Sequence, residues 1–350
     1  MPKSDVTTAG RAPTADDVAR LAGVSRSAVS RTFTVGASVS PATRKKVLQA
    51  ADAIGYRVNF LARSLSQQRT SLVGLVVADM DNSFRGRLVD HLSRSLVKLE
   101  YRPFLLPGTR GDDDDVRHIT DMMLHYKLSG AIVTSDNAPA EIAERCAAHD
   151  VPLVLVNKPE AGGKVANVTL DCDKAGRLAA EALRRAGCRT VAFASQRRPS
   201  HTISLRKRAF ERACRDLGME IVEDFKGDAQ DYDGGVEAAK AFAGGHGPVD
   251  GIYCVNDYLA LGFLDYLRHA TEISVPGDLK LVACDDIAEA AWLSYDLTTV
   301  RQDSAVIAEA AIAALVARIE NPGATSPPTF IDVSLVERGS TRSTFNPSPR

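Results

Sequence analysis

Residues able to do chemistry are unevenly spread along this 350-residue chain, and the densest group lies near its start. Arg26, Ser27, Ser30 and Arg31 stand within six positions, with Ser25 just ahead of them. Ala28 and Val29 interrupt the group, so at helical spacing the apolar pair faces a core and the polar side chains are left outside. The first 70 residues hold eleven basic and four acidic side chains, a net of +7, against −1 for the whole chain, which leaves −8 on the rest. A basic head on an acidic body suits a module that neutralises phosphates while the body is repelled from them. A solvated basic tail would carry the same charge, so the pattern inside the head decides.

Other chemistries find little foothold. Cys146, Cys172, Cys188, Cys214, Cys254 and Cys284 lie well apart, without the short spacers that thiolate metal sites need. They read as reduced, buried thiols, and neither a metal nor a cofactor is expected. Asp112–Asp115 reads as a solvated helix start, and Gly244-Gly245-His246-Gly247 as a turn that matches no phosphate-binding loop. No Ser-His-Asp or paired-carboxylate constellation stands in a recognisable context, so no enzymatic activity is expected. No apolar run reaches the ~18 residues of a membrane span, and the first residues lack a secretory apolar core. The expected location is the cytoplasm.

The elements around the basic group are short helices. Thr14 caps a first helix whose Asp16 and Asp17 suit the positive end of its dipole, with Val18, Ala19 and Leu21 as the apolar face. Gly23 ends it in a left-handed turn, and Ser25 caps a second helix from Arg26 to Thr32. Ser40-Pro41 opens a third helix, which Gly55 closes. Two short helices across a tight glycine turn make a helix-turn-helix. A small helical interaction module is the alternative.

The stretch TADDVARLAGVSRSAVSRTFTVGASVSPATRKKVLQAADAIGYRVNFLARSL resembles, without a gap, the head piece of the lactose-repressor (LacI/GalR-type) family. The A-G-V-S turn, the V-S-R that follows, V-S-x-x-T-R and G-Y-x-x-N carry the resemblance. It implies that Arg26, Ser27 and Arg31 reach major-groove base edges, with Arg31 as the bidentate partner of a guanine. Thr14, Ser25, Thr43 and Asn59 would hold phosphates. Residues 59–65 correspond to the hinge helix, with Ala62 and Leu65 entering the minor groove, where an apolar wedge can unstack a base step. Packing of Leu61 and Leu65 on the body is the alternative. Val58 stands where the family commonly has Pro, and Thr34 where it commonly has Asn.

From Ser71 onward, strand-like runs alternate with helical patterns: 72–78, 103–106, 131–134, 153–156, 191–194, 251–255 and 279–283. Such alternation implies parallel sheets with crossover helices, and two units of about 130 residues fit better than one very wide sheet. This part resembles the family's effector domain, of the two-subdomain periplasmic-binding-protein type. Its landmarks include C-V-N-D-Y-L-A-L-G-F and L-T-T-V-R-Q-D. The expected organisation is a head over 1–57, a hinge over 58–69, an effector-binding and dimerisation domain over 70–341 and a flexible tail over 342–350. Crossings between subdomains are expected near 169, 298–301 and 329–332.

Ligands of such folds lie at the carboxyl ends of strands, which points to Asn82, Phe84, Asp136, Arg206, Asn256 and Asp285. Arg206 and Asp285 match the family's recurrent charged pair, able to grip vicinal hydroxyls; a surface salt bridge is the alternative for Arg206. His201 and Trp292 read as a surface histidine and a core tryptophan. The resemblance implies a homodimeric repressor that binds palindromic operator DNA and is switched by a small, carbohydrate-like effector. The rivals are a regulator controlled by a protein partner, and a sugar-binding protein or enzyme with a basic head.

Overall fold

The structure is a computed structural model that describes residues 11–34, 37–57, 70–78, 80, 82–108, 113–134, 139–159, 165–245, 247–323 and 327–342. Asn59, Ala62 and Leu65 of the expected hinge, Asp136 and the end of the chain lie outside the described residues. Contacts divide the chain into two compact units, Met1–Thr70 and Ser71–Arg350.

The first unit contains α1 (Ala15–Ala22), α2 (Arg26–Thr32) and α3 (Pro41–Ala53). Thr14 and Asp17 cap α1 reciprocally: the Thr14 side chain accepts from the Asp17 N–H, and the Asp17 carboxylate accepts from the Thr14 N–H. Hydrogen bonds from Thr14 hold the Asp17 carboxyl well below the usual carboxylate range. Gly23 takes φ 64°, which ends α1 and sends Val24 back to bond Ala19 O. Val18, Val29 and Val47, one from each helix, meet at full burial beside Ala19, Ala50 and Ala51. Leu21 does not join them and is 56% exposed. At 100° per residue it sits roughly 110° round α1 from the centre of the face formed by Val18 and Ala19. Arg44 of α3 donates to Thr32 O at 2.9 Å, tying the end of α2 to α3.

The second unit has two lobes. The first sheet is built from β1 (Leu72–Val77), β2 (Arg102–Pro107), β3 (Gly130–Val133), β4 (Leu153–Val156) and β5 (Val165–Leu170), with α4 (Ser83–Lys98), α5 (Asp113–His125) and α6 (Pro139–Ala148) between them. The chain then enters the second lobe through α7 (Cys172–Arg185), β6 (Thr190–Gln196), α8 (His201–Asp216), β7 (Glu220–Gly227), α9 (Tyr232–Ala243), β8 (Gly251–Cys254), α10 (Asp257–Ala270), β9 (Lys280–Asp285) and β10 (Thr298–Gln302). Next, α11 (Ser304–Glu320) packs on the first sheet, β11 (Thr329–Ile331) joins it, and β12 (Val333–Val336) returns to the second.

The strand orders are β11-β5-β4-β3-β1-β2 and β12-β10-β9-β8-β6-β7, parallel throughout except for β10 with β12. Helices cover both faces, which is why β1 reads LVGLVV without alternation: Val73, Leu75 and Val77 face one core, and Val76 the other. The lobes are thus two α/β units of the periplasmic-binding-protein type.

Two further expectations needed correction. Strand β9 runs to Asp285 and not only to Ala283, which brings the acidic residue to the strand's end. Trp292 is not core: it is 56% exposed, beside the ring of Tyr295 at 6.5 Å between centroids. All six cysteines are free and buried, and burial pushes the Cys172 and Cys188 thiols up to about 11 and those of Cys146, Cys214 and Cys284 to about 12. Among the described residues no helix is long and apolar enough to cross a membrane.

Candidate nucleic-acid interface and ligand cleft

On the head, α2 buries Val29 and Thr32 and leaves Arg26, Ser27, Ser30 and Arg31 exposed. The burial follows from sequence, since Val29 and Thr32 are one turn apart and the polar residues fill the rest of the circumference. Ser25 accepts from the Ala28 N–H at 3.2 Å and also meets the Ser27 hydroxyl at 2.9 Å. Arg31 lies along the helix with Nε donating to Ser27 O at 3.3 Å, and Arg26 lies 3.7 Å from the Asp16 carboxylate. These exposed contacts are weak enough to be exchanged for phosphates or bases. Thr43 is tied to the Ser40 cap of α3.

In the body, the carboxyl ends of strands from both sheets meet around a cleft of about 600 Å³, part of it open to solvent. Five of the residues expected from sequence line it: Asn82, Phe84, Arg206, Asn256 and Asp285. Their places follow from helix starts. Asn82 caps α4 by accepting from the Phe84 and Arg85 N–H groups, and Asn256 caps α10 by accepting from Leu259. Asn256 also donates to Gln230 O at 2.9 Å, so its amide is committed at both ends.

Arg206 comes from α8, and Gly176 of α7 determines how close that helix approaches. A Cβ at Gly176 would stand 2.6 Å from Arg206 O and 2.5 Å from Phe210 N, both backbone atoms. Arg206 is 5% exposed, and its Nε and Nη1 are buried with no hydrogen-bond partner. Burial disfavours its charge, but neighbouring groups including Asp285 more than offset this, and the side chain remains a cation. Asp285 does not bond Arg206. Its Oδ1 accepts from Gln302 Nε2 at 2.5 Å.

The backbone changes hand at this point, with φ 136° at Asp285 and 58° at Asp286. Non-glycine residues in this region store about 1–3 kcal/mol each and cluster at functional sites. The turn separates two adjacent carboxylates. Asp285 faces the cleft, whereas Asp286 binds Arg301 at 2.6 Å and Arg338 at 2.7 Å. Behind them lies Asp257, fully buried, accepting from Thr299 Oγ1 at 2.5 Å and the Ile287 N–H at 2.9 Å. Burial, then the charge of Asp285, holds the Asp257 carboxyl well above the usual aspartate range; burial also raises Asp285, against the pull of Arg206.

Hydrogen bonds span the lobes beside the cleft: Ser83 to Glu289 at 2.6 Å, Arg87 to Asp286 O at 2.8 Å and, more loosely, Asn157 to Gln302 at 3.5 Å. Sequence reasoning missed Asn157, Lys158, Ser200, Thr202, Gln230 and Gln302 in the lining. Asn157 and Gln302 could have been found, since each directly follows or ends an apolar or Thr-rich strand, at the position that already singled out Asn82 and Asn256. His201 is exposed, and neither it nor Trp292 lines the cleft.

Comparison with known proteins fits both units. The family model described as bacterial regulatory proteins, lacI family, matches residues 14–59, and a periplasmic binding protein-like domain matches residues 180–341. Catabolite control protein A of Priestia megaterium is 29% identical over 289 residues, covering 82% of this chain and 86% of that protein. The ribose operon repressor of Escherichia coli K12 is 28% identical over 332 residues, covering 93% and 99%. The structure of the lac repressor dimer bound to operator and the anti-inducer ONPF superposes with a TM-score of 0.84 at 21% identity, covering 95% of this chain and 100% of that one. With this head, this body and these relatives, the chain has the two-part organisation of lacI-type bacterial regulatory proteins and is a DNA-binding transcriptional regulator.

Proposed function

We propose that the protein is a homodimeric repressor, acting in the cytoplasm, whose affinity for a palindromic operator is switched by a small polyhydroxylated ligand held between the lobes. The observation that carries this reading is the cleft: polar and charged side chains from both lobes converge on about 600 Å³, within the usual range of ligand pockets, roughly 300–1,000 Å³. A ligand that touches both walls favours the closed arrangement over the open one, and only such differential affinity can shift an equilibrium. Two relatives are repressors by name, which supports the sign of regulation.

In this reading Arg26, Ser27 and Arg31 read bases, while Thr14, Ser25, Thr43 and Asn59 hold phosphates and set register. Ala62 and Leu65 wedge the minor groove, and the hinge converts ligand state into DNA affinity. Asn82, Phe84, Asp136, Arg206, Asn256 and Asp285 contact the ligand.

The test starts from a duplex that the protein itself selects from a random library. Its affinity is then measured with and without a panel of sugars and sugar acids. One panel member is expected to change operator affinity at least tenfold, an effect lost in Asp285→Asn, and Leu65→Ala is expected to weaken operator binding without it. A panel that leaves operator affinity unchanged, together with wild-type binding by Leu65→Ala, would overturn the reading.

A further inference from the structure

The negative charge of the body is unevenly spread. Residues 171–216 hold twelve basic and five acidic side chains, a net of +7 equal to that of the head, which leaves −15 on the rest of the body. Nine of the twelve stand on α7 and α8, which pack side by side. The positive region ends abruptly at β7, since residues 220–237 hold seven acidic side chains and one basic.

The charges on the two helices form one surface. Arg212 of α8 meets Asp173 of α7 at 2.7 Å, so the outer faces of the helices adjoin. At about 100° per residue, Arg177 and Arg184 lie within about 40° of Asp173 around α7, and Arg208 and Arg215 within about 60° of Arg212 around α8. All five arginines are exposed. Arg177 and Arg212 pair with Glu181 and Asp173, whereas Arg184, Arg208 and Arg215 have no ion pair among the described residues. A helix dipole favours a cation in the last turn, which accounts for Arg184 and Arg215. It does not account for Arg208, which stands four residues before Arg212, a like-charge spacing that opposes helix formation. Such a face is unfavourable alone and suits an anionic surface. Duplex DNA, this chain's partner through its head, carries about one charge per 1.7 Å, and the guanidinium fork matches phosphate oxygens.

We propose that the outer face of α7 and α8 is a second DNA-contact surface, which holds duplex by its phosphates without reading sequence. The body repels DNA elsewhere, so this face alone admits it. A chain bound to its operator can then hold a second segment of duplex.

The test saturates the heads of the full chain with the selected duplex and adds a scrambled duplex carrying a second label. A ternary complex is expected at about 50 mM salt, weakening with a log–log salt slope of about −3, as expected for three phosphate contacts. Arg184→Glu, Arg208→Glu and Arg215→Glu together should weaken capture of the scrambled duplex tenfold or more and leave affinity for the selected duplex within twofold. Arg208→Gln with Arg215→Gln, a milder pair, should weaken capture severalfold, and the corresponding Lys pair should retain it. No ternary complex at low salt, or one undiminished in both the Glu and the Gln variants, would overturn the proposal. Poly-L-glutamate serves as a third probe: if it binds this face and the scrambled duplex does not, the proposal fails and the face belongs to an acidic protein. Self-association lost in the Glu variant, without capture of duplex, would likewise overturn it in favour of a contact between copies of the chain.

Discussion

Gln302 donates to Asp285 across the ends of two adjacent strands, Nε2 to Oδ1 at 2.5 Å, and both side chains are buried at the lip of the cleft. The other end of the same carboxamide accepts loosely from Asn157 of the opposite lobe. One side chain therefore orients the acid that faces the cleft and touches the opposite wall. Gln302→Ala should leave a buried carboxyl without its donor, at a cost of about 1.5–3 kcal/mol. Urea unfolding should show that loss. Ligand-dependent change in operator affinity should shrink as well, because Asp285 is no longer held. Unchanged stability in Gln302→Ala would show that the bond contributes nothing.

A second prediction concerns pH. Burial raises both Asp257 and Asp285, and each charge opposes the other's ionisation. Between the ordinary aspartate value, near pH ~4, and the raised folded values, the folded chain holds more protons than the unfolded one. Stability from this pair is therefore fully present at low pH and is lost as pH rises through the folded values. Asp257→Asn should flatten that fall. An Asn there can still accept from the Ile287 N–H and donate to Thr299, whose hydroxyl can turn to accept. Chemical denaturation at several pH values from 5 to 9 compares the slopes of the two proteins; parallel slopes would contradict the assignment.

Gly176 gives a third. A Cβ there meets backbone atoms of α8 that cannot swing away, so Gly176→Ala must push the helix carrying Arg206 outward. Overpacking of this kind costs about 1–3 kcal/mol. Ligand affinity should fall along with thermal stability, although residue 176 does not line the cleft. A variant as stable as the parent would mean that α7 and α8 have slack.

Much of this was legible in the sequence because local signals and long-range packing agree. The caps at Thr14, Ser25 and Ser40, the turn at Gly23 and the apolar strand runs each correspond to an observed element. Strand β7 was hidden because it is an edge strand, and its sequence EIVEDFKG is more charged than buried. Strand β10 was missed as a strand for a related reason: Thr298 and Thr299 carry buried hydrogen bonds, so apolar periodicity does not mark it, while β11 and β12 are only three and four residues long. In the cleft, residues following long apolar strands were found. Ser200, Thr202 and Gln230 were not, because what brings them together is the meeting of two lobes, which no local spacing encodes. Leu21 and Trp292 show the converse error, in which residue type overstated burial.

Whether α2 reads DNA sequence is decided by Arg31→Ala. The measurement is equilibrium binding of wild type and variant to the selected duplex and to a scrambled one, at a stated salt concentration. Arg31 is exposed on the recognition face and makes only one weak bond to its own backbone, so its loss should not unfold the head. The variant should lose about 1–3 kcal/mol on the selected duplex and far less on the scrambled one. Equal losses on both duplexes, or none on either, would contradict sequence reading by α2.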